Sequence, residues 1–221
     1  MLRVRLPFRR LVVVGLLLVL PAPLFWLVRE KTLDERTCGF LCAFALGLVA
    51  LNVWDQRRVN RARAVHEVGV ARELLAKGQF HAAMTHLDAA SRHDSTCFEI
   101  RVARGEVHLG EQDFDGARRV LVEALGLRPD SVRAHFALGL TCLHQKKALE
   151  AASEFTRTLQ LDPDFTEAHF ILAQAWELAG EKARALGAYR TYLDLAGQLR
   201  HPDAKTQDCL ARSYARVQAL Q

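Results

Sequence analysis

The sequence predicts an all-α protein: a solenoid of helix–turn–helix repeats preceded by a transmembrane helical hairpin. Three observations carry this reading. Two uncharged apolar runs of 18 residues occupy positions 11–28 and 37–54. Beyond residue 63, small and bulky residues recur at an interval of 34. The net charge of +5 is also divided unevenly: residues 1–63 hold 11 Lys/Arg against 4 Asp/Glu, and residues 64–221 hold 19 against 21. The basic excess therefore flanks the apolar runs, and the remainder is slightly acidic. Such a division argues against nucleic acid as a partner, because a nucleic-acid-binding domain carries its basic charge on the binding face.

The first run, Leu11–Val28, and the second, Thr37–Trp54, each fall within the roughly 17–25 residues that cross a bilayer core as helix. Trp26 and Trp54 sit near the ends, where indole rings favour the membrane interface. Pro21 and Pro23 kink the first span, and the second span covers the carbonyls this frees. The first run is longer than a signal-peptide core and no small-x-small cleavage site comes after it, so the sequence predicts a retained span. Arg3, Arg5, Arg9 and Arg10 precede the hairpin and Arg57, Arg58, Arg61 and Arg63 come after it, against Arg29, Lys31 and Arg36 between the spans. The excess predicts a basic cytoplasmic N-terminus (1–10), a short external loop (29–36) and a basic juxtamembrane helix (55–63) on the cytoplasmic side. Arg outnumbers Lys 24 to 6, which points to a GC-rich bacterial source and so to a multi-pass protein of the bacterial inner membrane. Between Asp55 and Lys77 there is no proline and one glycine, Gly69, so the second span is expected to continue into the first repeat helix.

The repeat itself is explicit. Ala83, Ala117, Ala151 and Ala185 are each 34 apart, as are Ala71, Gly105, Gly139 and Ala173, and the bulky set Leu87, Leu121, Phe155 and Tyr189. Small residues are required wherever two antiparallel helices cross closely, and the bulky member fills the space beside the crossing. Pro129 and Pro163, each followed by Asp, end one repeat and open the next, since proline cannot continue a helix interior. Gly78 and Gly180 fall at turns within a repeat. This pattern resembles the tetratricopeptide-repeat (TPR) family, most closely at residues 134–164 and 168–195. The resemblance implies a right-handed TPR superhelix with four repeats over 64–197 (64–97, 98–131, 132–165 and 166–197). The second repeat departs from the family at Arg101 and Arg104, where an aromatic and a leucine are preferred, and the first has Ser95 in place of the closing proline. A helix over 203–219, with Leu210, Ala211, Tyr214 and Val217 on one face, is expected to cap the last repeat.

In tetratricopeptide proteins the first helices of successive pairs line a concave face on which peptides bind. The matching positions here are Glu106, Leu109, Arg133, Phe136, Leu140, Leu143, Phe170, Gln174 and Glu177. Their apolar centre and charged surroundings predict a groove for an apolar or mixed peptide. The basic clamp with which chaperone-binding members hold a terminal carboxylate is missing apart from Arg133, since Val68, Ala103 and Ala137 stand at its positions.

Nothing in the sequence predicts an enzyme or a cofactor. It contains no Gly-rich phosphate loop, G-x-S-x-G elbow or H-E-x-x-H. None of the nine histidines is spaced i, i+4 with another, and His135 and His169 share a repeat position that suits packing, so no metal site is expected. Asp113/Asp115 and Asp162/Asp164 fall where carboxylates cap helices. The five cysteines are scattered without a C-x-x-C, as expected of small buried thiols in a reducing compartment. The predicted function is a membrane-anchored scaffold or adaptor that binds a protein partner in its groove. The alternative is a structural or regulatory subunit held mainly by its hairpin, whose small residues Gly39, Ala43, Ala45, Gly47 and Ala50 permit close helix packing.

Overall fold

The computed structural model describes residues 35–198 and 203–220, with backbone alone for residues 35–42 and 45. Among the described residues the chain is all helical: α1 Glu35–Ala76, α2 Phe80–His93, α3 Phe98–Gly110, α4 Phe114–Leu127, α5 Val132–His144, α6 Ala148–Leu161, α7 Thr166–Leu178, α8 Lys182–Gly197 and α9 Ala204–Leu220. The chain divides into two compact units, up to Asn60 and from Arg61.

In the first unit, the described side chains of α1 include several exposed apolar groups, among them Phe44, Leu46, Leu51 and Trp54. Among the described residues no helix is long and apolar enough to cross a membrane. The predicted first span (11–28) and nearly all of the 29–36 loop lie outside the described residues. The predicted second span (37–54) is helical throughout, and the helix has no break across 55–63.

In the second unit the helices pair as the 34-residue interval requires. The crossing of each pair is set by a small residue on the first helix facing a bulky one on the second. A Cβ on Gly139 would lie 2.7 Å from Cε1 of the Phe155 ring, and one on Gly105 would lie 2.5 Å from Cγ of Leu121. Ala71 and Ala173 occupy the same place in the first and fourth pairs and are fully buried. Burial follows this seam. Ala64, Val68 and Ala71 pack with Ala83, Leu87 and Ala90. Leu138 and Cys142 pack with Ala151, Ala152 and Phe155. Ala185, Tyr189 and Tyr192 then close on Phe170 and Ala173.

The turns repeat with the same period. Residues 78, 112, 146 and 180 all adopt positive φ: Gly78 at +71°, Gln112 at +62°, Lys146 at +60° and Gly180 at +80°. The next residue's N–H then reaches back to the carbonyl five positions before it, as in Lys147 to Cys142 and Glu181 to Trp176, both at 2.9 Å. The left-handed geometry is thus imposed by the repeat, and two of the four positions carry side chains that tolerate it poorly.

The irregular first and second repeats find substitutes for the consensus residues. Where Ser95 replaces proline, the Asp94 carboxylate accepts from the Thr96 N–H at 2.9 Å and from its hydroxyl at 2.7 Å, forming the turn by other means. Arg104, placed where a leucine is usual, donates to Asp88 at 2.6 Å and to Ser91 at 3.1 Å on α2. The departure therefore ties the second repeat to the first. His135 and His169 do more than pack: each ring Nε2 donates to the carbonyl of the proline closing the preceding repeat, Pro129 at 2.8 Å and Pro163 at 3.0 Å.

Lys146 is exposed, and Gly180 has open space where a Cβ would stand. Only backbone conformation is therefore at stake at both positions. A non-glycine residue in this region costs roughly 1–2 kcal/mol. Lys146→Gly is expected to raise stability by about 0.5–1 kcal/mol, and Gly180→Ala to lower it by about 1 kcal/mol, in equilibrium denaturant unfolding.

Candidate functional site

The first helices of the pairs present one continuous stripe, and its centre is a concavity of about 480 Å³. α3 supplies Glu106 and Leu109. α5 supplies Val132, Arg133, Phe136, Ala137 and Leu140. Asp162 and Phe165 come from the turn before α7, and Glu167 from the start of α7. The apolar floor is held in place from behind: the Phe136 ring meets Phe155 edge-on at 5.7 Å and lies 4.8 Å from the Phe165 ring.

The charged wall is organised around Glu106, whose carboxylate is mostly buried. Arg133 engages both of its oxygens, and Arg72 Nε on α1 stands 3.9 Å away. Burial pushes the Arg72 guanidinium below its ordinary pKa and Arg133 adds to this, with Glu106 opposing both. One carboxylate thus links the first helices of three successive repeats, although no pair in this trio is close to full burial.

A second concavity, of about 560 Å³, lies between α7 and α9 and shares Phe165 and Glu167 with the first. α9 lies across this end of the stripe. Lys205 Nζ donates to Glu167 at 2.7 Å. The Tyr189 hydroxyl donates to Glu177 at 3.0 Å, and Arg216 pairs with the same carboxylate. At the start of α9, Asp203 accepts from the Thr206 N–H at 2.8 Å, the arrangement of an N-cap. The hydrogen bonds from Thr206 hold the Asp203 carboxyl below the usual carboxylate range.

Five of the nine residues predicted for the groove, Glu106, Leu109, Arg133, Phe136 and Leu140, come together in the central concavity. Phe170 and Gln174 line the α7–α9 concavity instead, and Phe170 is only 7% exposed, packed against Tyr189 and Tyr192. Glu177 is occupied by Tyr189 and Arg216. Leu143 packs onto the central core cluster and lines neither concavity. Phe165 and Asp162 escape a reading confined to the first helices because they sit in the connecting turn. The cap helix is also rotated from expectation. Cys209, Leu210, Val217 and Leu220 pack inward with buried Ser213, whereas Ala211 is exposed and Tyr214 is 58% exposed. A polar Ser213 concealed the true 3.6-residue stripe, and its hydroxyl is satisfied by donating to the Cys209 carbonyl at 2.8 Å.

Other chemistry is sparse. Among the described residues no cluster of three or more His, Cys, Asp or Glu is placed to hold a metal ion. Cys97 and Cys142 are buried free thiols, and burial pushes both upward in pKa, away from the thiolate.

The model of the tetratricopeptide repeat family matches residues 71–118, 102–164 and 149–199, together more than half of the chain. The chain belongs to the tetratricopeptide-repeat family. Proteins of this family act generally as protein-interaction scaffolds or chaperones. No curated protein matches the chain in sequence. Among solved structures the chain is similar to TTC0263, a thermophilic TPR protein of Thermus thermophilus, at TM-score 0.59 and 15% identity over 71% of this chain and 87% of that one. It is also similar to MamA, from residue 41 to its end, of Desulfovibrio magneticus, at TM-score 0.56 and 18% identity over 72% and 93%. A third is SycD, the type III secretion translocator chaperone of Yersinia enterocolitica, at TM-score 0.52 and 15% identity over 57% and 85%. At these identities the likeness is one of fold.

Because the folded-state pKa of Asp203 is depressed, its capping contribution is complete above the ordinary carboxylate value and is lost as pH falls through the depressed one. Hydrogen-exchange protection factors in the first turn of α9 are expected to hold at pH 6 and to drop below about pH 4. Asp203→Ala is expected to lower them at both.

Proposed function

We propose that the protein is a membrane-anchored scaffold that recruits a protein partner through the concave face of its repeats, with the repeats on the cytoplasmic side of the membrane. The observation that carries this reading is the central concavity. Its floor of Leu109, Phe136, Leu140 and Phe165 is apolar, its rim is charged, and it opens on the face built by the first helices. SycD, a chaperone, is a precedent for protein recognition on this fold.

Anchoring is supported by the two apolar runs in the sequence and by the exposed apolar side chains of α1 before residue 55. At the end of that stretch the Arg58 guanidinium stands 5.7 Å from the ring centroid of Trp54, a residue type enriched at membrane interfaces. The basic residues at 57–63 favour the cytoplasmic side for the repeats.

Purification of the full chain from its native membrane in mild detergent is expected to bring a protein partner with it. Arg133→Glu combined with Leu140→Glu places two like-charged groups beside Glu106 and in the apolar floor. This variant is expected to lose at least nine-tenths of the partner, to remain in the membrane fraction and to keep its helical circular dichroism. Full retention of the partner would move the interaction from the groove to the hairpin, and recovery of the wild-type chain in the soluble fraction would refute the anchor.

A further inference from the structure

Taking the central concavity as the docking site, we propose that its occupant is an extended segment presenting an aliphatic or aromatic side chain next to a lysine or arginine. The apolar half of that description comes from the floor. The basic half comes from which charges on the wall are already committed.

Four charged residues line the concavity: Glu106, Arg133, Asp162 and Glu167. Glu106 and Arg133 are spent on each other through two bonds, and Arg72 adds a second cation to the same carboxylate. The one cation in the lining is therefore engaged, and an incoming carboxylate would have to break a two-bond pair to reach it. Asp162 differs: the residue is half-buried, and its carboxylate has no hydrogen-bond or ion-pair partner among the described residues. Glu167 has only Lys205, whose side chain is 72% exposed. A pair so exposed contributes little and exchanges readily.

Three other acidic groups are already paired, and Arg72, whose buried Nε makes no hydrogen bond, faces Glu106 at 3.9 Å. Glu154 is taken by His135, Asp130 by Arg157, and Glu99 by Arg128. The uncommitted charge beside the apolar floor is thus negative and lies at the turn from α6 to α7. A cationic side chain placed there donates a charge-assisted hydrogen bond to Asp162 and can replace Lys205 on Glu167. An acidic segment meets the unpaired Asp162 carboxylate beside a Glu167 whose partner is an exposed lysine, and a neutral apolar one desolvates Asp162 without giving it a donor.

The test is selection of a phage-displayed random octapeptide library on the full chain in detergent micelles, followed by binding measurements on the enriched peptides. The expected result is enrichment of Lys or Arg adjacent to Leu, Ile, Phe, Tyr or Trp. Asp162→Asn with Glu167→Gln should weaken those peptides by about tenfold, the effect of losing one charge-assisted contact, and Leu140→Glu should abolish their binding. Enriched peptides that lack a basic preference, or are acidic, yet are lost in Leu140→Glu, would overturn the proposal and leave the groove reading standing. Basic peptides indifferent to the Asp162/Glu167 variant would overturn it as well. Enriched peptides indifferent to Leu140→Glu, or no enrichment at all, would overturn the groove reading and the proposal together.

Discussion

Each repeat depends on one close approach between its two helices, and that approach depends on a small residue, with no side chain at Gly105 and Gly139 and a single methyl at Ala71 and Ala173. At Gly139 the Phe155 ring already occupies the volume a Cβ would take, and at Gly105 the Leu121 side chain does the same. Interiors this dense transmit such a constraint, because a first helix that cannot approach its partner also displaces the residues packed on its other side. The bulky partner residues Leu87, Leu121, Phe155 and Tyr189 are all buried to within 2% exposure, so the interlock recurs through all four pairs. The 34-residue period is the sequence record of that packing rule.

The concave stripe is a consequence of it. Once each first helix is fixed against its second, residues one repeat apart are brought side by side, and Glu106 can reach Arg133 on the next first helix and Arg72 on the previous one. The floor aromatics are anchored through the same interlock, since Phe136 leans on Phe155 and Phe170 on Tyr189. α9 then closes the array by using its polar residues on the acidic end of the stripe, through Lys205 to Glu167 and Arg216 to Glu177. The Asp162 carboxylate in the middle of the array is thereby left uncommitted.

The fold was legible in the sequence wherever a residue type has one physical use. A period of 34 with small, small and bulky members leaves little choice of architecture, and the turn glycines at 78 and 180 mark a backbone geometry that Gln112 and Lys146 share without advertising it. The site was legible only by half. Glu106, Arg133, Phe136 and Leu140 lie on the periodic stripe and could be read from it. Phe165 and Asp162 reach the concavity from a turn, which periodicity does not describe. Glu177 fits the stripe, yet whether it is available depends on where α9 lies, and a buried serine at the centre of that helix hid the face it uses. Arg104 looked like decay of the repeat because the family pattern has no place for a contact that reaches back to Asp88.

The central claim, that a small residue against a bulky one sets each crossing, is tested most directly by a double-mutant cycle at Gly139 and Phe155. The readout is equilibrium unfolding of the wild type, Gly139→Ala, Phe155→Ala and the pair. Alanine removes the ring atoms that the new Cβ would meet, which leucine would not, since Leu121 fills the equivalent space at Gly105. The two changes should therefore be strongly non-additive, with the double variant more stable than the sum of the single losses predicts by about 1–3 kcal/mol. Additivity within about 0.5 kcal/mol would contradict the account, because it would show that the crossing does not depend on this contact.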